Sequence, residues 1–121
     1  NEKMAEFINP LAYLGDQMSK FTTEVGFKGF QNPDEVGAAA VDYLRVAGHL
    51  VFGYFFARMA SVALKQIAAA EKEGKPTDPF YPAKLQTARF YFAKLFPETA
   101  SLMRTARAGA KVLMDTDLAL A

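Results

Sequence analysis

The sequence predicts an all-α fold, an up-and-down helical bundle of three long helices and a shorter C-terminal one, four-helix-bundle-like in plan. Three observations carry this prediction. Apolar residues recur at steps of three and four along most of the 121 residues, β-type alternation is absent over any useful length, and polar stretches bearing Pro and Gly divide the periodic pattern.

In the first helix Phe7, Leu11, Leu14, Met18, Phe21 and Val25 line one face. Asn9-Pro10 offers an N-cap and a first-turn proline, so the helix is expected to start afresh there, with "MAEF" as a preceding turn. Gly26 suits a left-handed C-cap, after which "FKGFQ" reads as a loop. The second start is sharper: Asn32-Pro33-Asp34-Glu35 supplies a cap, a first-turn proline and two acids that complement the helix dipole. From there Val36, Ala40, Tyr43, Ala47, Leu50, Tyr54, Ala57, Ser61, Leu64 and Ala68 keep the rhythm, and no proline intervenes before Pro76. A helix of roughly 40 residues, about 60 Å long, follows. Gly48 and Gly53 within it each cost up to about 1 kcal/mol relative to Ala, and close approach of a neighbouring helix is the expected compensation.

"EKEGKPTDP", residues 71–79, reads as a hairpin turn. Tyr81, Leu85, Ala88, Phe92, Leu95, Thr99, Leu102, Ala106 and Leu113 then continue the rhythm, with Gly109 in the remaining seam slot as a point of close contact. Pro97 removes one backbone bond and clashes with the preceding turn, which predicts a kink near 94–97 or a break into two helices. The tail after Gly109 adds a short final helix.

The stretch "RVAGHLVFGYFFARMASVAL", residues 45–64, admits three readings: a membrane span, a central bundle helix, or a face that meets another protein. Its longest uninterrupted apolar run, Leu50 to Ala57, is too short to span, and His49 and Arg58 interrupt it on either side. No transmembrane segment is expected. Beside the seam, however, the helix also carries Leu44, Val51, Phe52, Phe55, Phe56, Met59 and Val62, more than two neighbouring helices can cover. Large aromatics left bare would form a patch of several hundred Å². Phe52, Phe55, Phe56 and Met59 are therefore the interface candidates, to be covered by another chain or domain.

A chain of this length with half its residues apolar suits a single helical-bundle domain over 1–121, and the absence of Cys removes disulfides and thiolate metal sites. Net charge is +1, without the footprint of a nucleic-acid binder. Residues 1–43 hold seven acids and three lysines, and the remainder eleven bases and six acids, so acidic and basic helical rims are expected to pair, with a polar docking patch for a partner as the alternative. His49 is the sole histidine, which rules out Ser-His, Cys-His and multi-histidine metal arrangements within the chain and makes a structural, hydrogen-bonded role the expectation. "GFKGF" is too short for a phosphate loop, and the acids at the helix starts repel anions. No catalytic, cofactor-binding or metal residue is expected. Arg104, Arg107 and Lys111 read as a solvated basic stripe, with a phosphate or partner contact as the alternative. Arg58 and Arg89, in apolar surroundings, need acceptors, and Asp42 and Glu98 are the ion-pair candidates for them.

At "DYLRVAGHLVFGYFFARMA", "FYPAKLQTARFYFAKLFPETASL" and "AGAKVLM" the chain resembles the C-terminal helical domain of large bacterial FAD-dependent acyl-CoA dehydrogenases. The more specific pieces are Tyr43-Leu44-Arg45 with Gly48, Ala57-Arg58-Met59, and Thr87-Ala88-Arg89-Phe90-Tyr91 followed by Leu95 and Pro97-Glu98. The resemblance covers nearly the whole length. It implies a bundle appended to a dehydrogenase core, packing on the preceding domains and contributing to a homodimer. In that family FAD takes a hydride from Cβ of an acyl-CoA thioester after a glutamate removes the Cα proton, and the flavin site, acyl-CoA cleft and base all lie upstream. The parent is thus expected to be an oxidoreductase of fatty acid metabolism, while this chain alone is no enzyme, binds no cofactor and meets acyl-CoA only through the parent. The start, "NEKMAEFINP", shows no signal pattern and no initial Met, so a C-terminal fragment of a longer, cytoplasmic dehydrogenase is expected. The alternative is a stand-alone helical dimerisation or scaffold module without activity.

Overall fold

A computed structural model of the chain describes residues 2–115. It is an up-and-down all-α bundle, as the periodicity predicts: α1 (Ala5–Gln31), α2 (Asp34–Glu73), α3 (Phe80–Phe90), α4 (Glu98–Ala106) and α5 (Lys111–Met114), preceded by one 3₁₀ turn, Glu2–Met4. No strand occurs among the described residues. α2 runs through the middle, with α1, α3 and α4 all packed against it.

The first helix is longer at both ends than its local signals suggest. Met4 and Phe7 are buried with Ala57, Ala60, Ala63, Leu85 and Ala88, so burial carries the helix back past Pro10 to Ala5. At the other end Gly26 keeps a negative φ and the helix continues to Gln31, because the link to α2 is only Asn32-Pro33. That corner is tight: a Cβ on Gly29 would lie 2.7 Å from Val36 Cγ2. The expected stripe itself is correct, with Phe7, Leu14, Met18 and Phe21 buried and Leu11 and Val25 packed beside them.

α2 starts as expected, the Asn32 side chain accepting the Asp34 N–H at 3.1 Å and the Asn32 carbonyl accepting that of Glu35. Its seam is shifted. Ala39, Val46, Gly53, Ala57, Ala60 and Ala63 are buried, with Tyr43, Leu50 and Leu64 partly so, whereas Ala40 and Tyr54 of the expected stripe are exposed. Every second position moved by one residue because small side chains let the neighbours in: a Cβ on Gly53 would lie 2.6 Å from Leu11 Cδ2 and 3.2 Å from Phe96 Cε2. Gly48 has no such neighbour within 4 Å, so close approach compensates Gly53 but not Gly48.

α2 ends at Gly74, whose φ of 67° places it in the left-handed region, with Gly74 N–H donating to Glu71 and Lys75 N–H to Ala70. α3 then passes into a π-helical turn, Tyr91–Leu95, closed by Phe96 N–H donating to the Tyr91 carbonyl at 2.9 Å. Pro97 is the cause, since it cannot donate and its ring crowds the turn before it. The extra residue shifts the register, so Leu95, expected inside, is 47% exposed, and Phe96 is 5% exposed in its place. Gly109 likewise serves a different purpose from the one expected: its φ of 86° turns the chain after α4. Leu113 is exposed and lies outside the seam.

By length and composition α2 is apolar enough to cross a membrane. Its inner side is nevertheless one side of a packed core that α1, α3 and α4 complete.

Candidate functional site

The outer side of α2 has no cover among the described residues. Val41, Leu44, Val51, Phe52, Phe55, Met59 and Val62 share one helix face, with Gly48 in the slot between Leu44 and the Val51-Phe52 pair, so the face has a helical seam of its own. Phe52 is 60% and Phe55 54% exposed, and Val41 and Leu44 reach 72%. Of the four interface candidates, Phe52, Phe55 and Met59 lie on this face. Phe56 does not: it stacks on Tyr91 at 4.5 Å and joins the core, because one step of 100° carries it round to the α3 side.

Two depressions belong to this surface. One, of about 330 Å³, lies between α2 and α3 under Phe55, Met59, Val62 and Phe80, with Arg58 and Lys84 at its rim. Lys84 Nζ sits 5.3 Å above the Phe80 ring. The other, of about 300 Å³, surrounds Gly48 between Leu44 and Phe52. A third groove, about 510 Å³, runs between α1 and α4 past Pro10, Tyr13, Met103 and Arg104.

The polar residues act as ties between helices. Arg89 Nε donates to Glu6 Oε1 at 2.9 Å and its NH2 group to Oε2 at 3.2 Å, joining α3 to α1. The Glu6 hydrogen bond raises the Arg89 pKa above its ordinary value, with burial opposing and the carboxylate charge adding. Glu98 binds Arg45. Arg107 lies over the Phe21 ring at 5.2 Å and 3.5 Å from Glu24, so it is not part of a merely solvated stripe. Glu35, placed in the sequence as a dipole partner, also accepts the Ala110 N–H at 3.3 Å. Arg58 donates to Tyr54 Oη at 3.3 Å rather than to a carboxylate, and neither it nor half-buried Asp42 forms an ion pair among the described residues. Acids of α1 do pair with bases of the later chain, Glu6 with Arg89 of α3 and Glu24 with Arg107 just past α4, partners too distant in sequence for local spacing to reveal, whereas in Arg45–Glu98 both groups come from the second part of the sequence.

His49 is half-buried. Its Nδ1 lies 2.8 Å from Tyr91 Oη, which donates to the His49 carbonyl at 3.1 Å, and its Nε2 lies 3.9 Å from Glu98. Burial pushes the Tyr91 phenol up to about 12. The set locks α2 to the π turn. No three His, Asp or Glu side chains among the described residues converge as a metal site requires.

The family model described as acetyl-CoA dehydrogenase C-terminal like matches residues 1–117. The chain belongs to this family. Comparison with curated proteins gives no match. Membership in a dehydrogenase C-terminal family accords with a bundle whose polar groups are spent on holding helices together and whose apolar surplus lies on one outer face.

Proposed function

We propose that this chain is the auxiliary C-terminal domain of an FAD-dependent acyl-CoA dehydrogenase, serving packing and dimer assembly rather than catalysis. The observation that carries the reading is the uncovered apolar seam on α2, which is more than an isolated monomer ordinarily exposes. Tyr13, Phe27 and Phe30 add exposed aromatic surface on α1, suited to the domains that precede this one in the parent. The parent, a cytoplasmic homodimer in this reading, would perform α,β-dehydrogenation of acyl-CoA thioesters.

The residues present do not fit a flavin. The start of α2 bears Asp34 and Glu35, with the Asn32 side chain already on a free N–H, and at α3 Asp78 accepts the Phe80 N–H at 2.9 Å. Neither start suits a pyrophosphate. FAD belongs to the parent's other domains, and no step of its chemistry involves a residue of this chain.

The test is to express the chain alone and beside the separately produced flavin-bearing portion of the parent. The expected result is a colourless chain that forms a complex with that portion and raises its thermal midpoint. Stoichiometric FAD on the chain alone, or dehydrogenation of an acyl-CoA against a dye, would sink the reading.

A further inference from the structure

We infer that the outer seam of α2 is covered by the same seam of a second copy, packed antiparallel about a two-fold axis beside residue 50. This names the partner for the assembly role proposed above and rests on that part of it. The first observation is the pairing of a knob with a hollow on one surface. Phe52 projects at 60% exposure, and four residues away Gly48 sits in a depression of about 300 Å³ where an added side chain would meet nothing within 4 Å. A two-fold contact is self-complementary, so residue i meets j while j meets i. An axis beside residue 50 sets Gly48 against the partner's Phe52, and Phe52 against the partner's Gly48. The same operation sets Val41 against the partner's Met59, and Leu44 and Phe55 within one turn of facing each other.

Direction follows from the same residues. In a parallel, in-register pair Gly48 would meet Gly48 and Phe52 would meet Phe52, leaving hollows empty and rings colliding. Charge agrees around the axis: Glu35 and Asp42 lie before it and Arg58 and Lys65 after it, while Arg45 is bound by Glu98 and the far end of α2 mixes Lys72 with Glu71 and Glu73. Antiparallel packing about that axis sets Asp42 level with the partner's Arg58 and Glu35 level with the partner's Lys65, and opposes the two dipoles. The area suffices. At about 100 Å² for each half-exposed large side chain, seven of them offer roughly 700 Å² per copy, near the ~800 Å² per partner of a standard interface.

The chain has no cysteine, so introduced thiols report pairing without background. Val41→Cys and Met59→Cys chains, mixed and oxidised, should give the mixed disulfide dimer in large excess over either self-linked dimer. Sedimentation of the unmodified chain should give twice 13.3 kDa. Gly48→Leu should weaken the dimer at least tenfold while the chain stays as helical as before, since the site is open in the monomer. Self-linking of Val41→Cys would mean parallel pairing and overturn the proposal, as would a Gly48→Leu dimer of unchanged strength. A chain that stays monomeric yet binds the flavin-bearing portion of the parent overturns this pairing and leaves the auxiliary-domain reading intact. A monomer that binds neither overturns both.

Discussion

The two sides of α2 solve packing in opposite ways. The middle of the inner side presents Ala39, Val46, Gly53, Ala57, Ala60 and Ala63, flanked by Tyr43, Leu50, Phe56 and Leu64, and the large side chains that fill that middle come from its neighbours: Phe7, Leu14 and Phe21 from α1, Leu85 from α3, Tyr91 from the π turn and Phe96 just after it. The outer side presents Val41, Leu44, Phe52, Phe55 and Met59, with Gly48 as a gap. Apolarity alone therefore does not distinguish the two. The distribution of volume does, because a face of small residues admits a close helix whereas a face of large ones needs hollows opposite.

If the inner side is a filled jigsaw and the outer side is not, substitutions should separate them. The largest effect is expected for Phe7→Ala, which removes a fully buried ring that meets Phe92 edge-on at 5.6 Å. About 3–5 kcal/mol of stability should be lost in urea unfolding. Gly53→Val should cost about 1–3 kcal/mol through overpacking against Leu11 and Phe96, read as a fall in urea midpoint at constant slope. Its counterpart Gly48→Ala should instead raise stability by about 0.5–1 kcal/mol when unfolding is followed at concentrations that keep the chain monomeric. A midpoint that moved the same way for both glycines would abolish the contrast. Tyr91 tests the inner side by pH. Its folded pKa lies above the ordinary value, so the folded chain holds a proton that the unfolded chain releases, and stability present below pH 10 is lost as pH rises toward about 12. Absorbance at 295 nm should show one phenol per chain ionising near that upper value, and Tyr91→Phe should remove both this step and the associated alkaline loss. The smallest effect is expected for Phe55→Ser, within about 0.5 kcal/mol in the monomer, while association through the outer face falls.

Much of the fold is legible in the sequence, unevenly. The α1 stripe, the start of α2 at Asn32, the turn before α3 and the disturbance at Pro97 all follow from local chemistry. Asn9-Pro10 and Gly26 carry good boundary signals, yet tertiary burial of Met4 and Phe7 and a two-residue corner override them. Leu95 and Phe96 exchange places because a π turn adds a residue that a fixed period cannot anticipate. The outer face is legible as a surplus, and of its four interface candidates Phe56 alone turns inward. Glu6–Arg89 lay beyond reach, since contact across 83 residues leaves only a difference in charge between the halves as its trace.

The sequence by itself determined that this protein is helical, where its main turns fall, that it lacks the residues for several kinds of chemistry, and that one helix is apolar all round. These follow from periodicity, composition and local backbone preference, which act within a few residues. Only the tertiary structure decided which residues of α2 face inward, which glycine makes room for a neighbour, and which carboxylate meets which arginine. Those outcomes depend on side-chain volume meeting side-chain volume between helices, and a single strand of sequence does not contain the opposing surface.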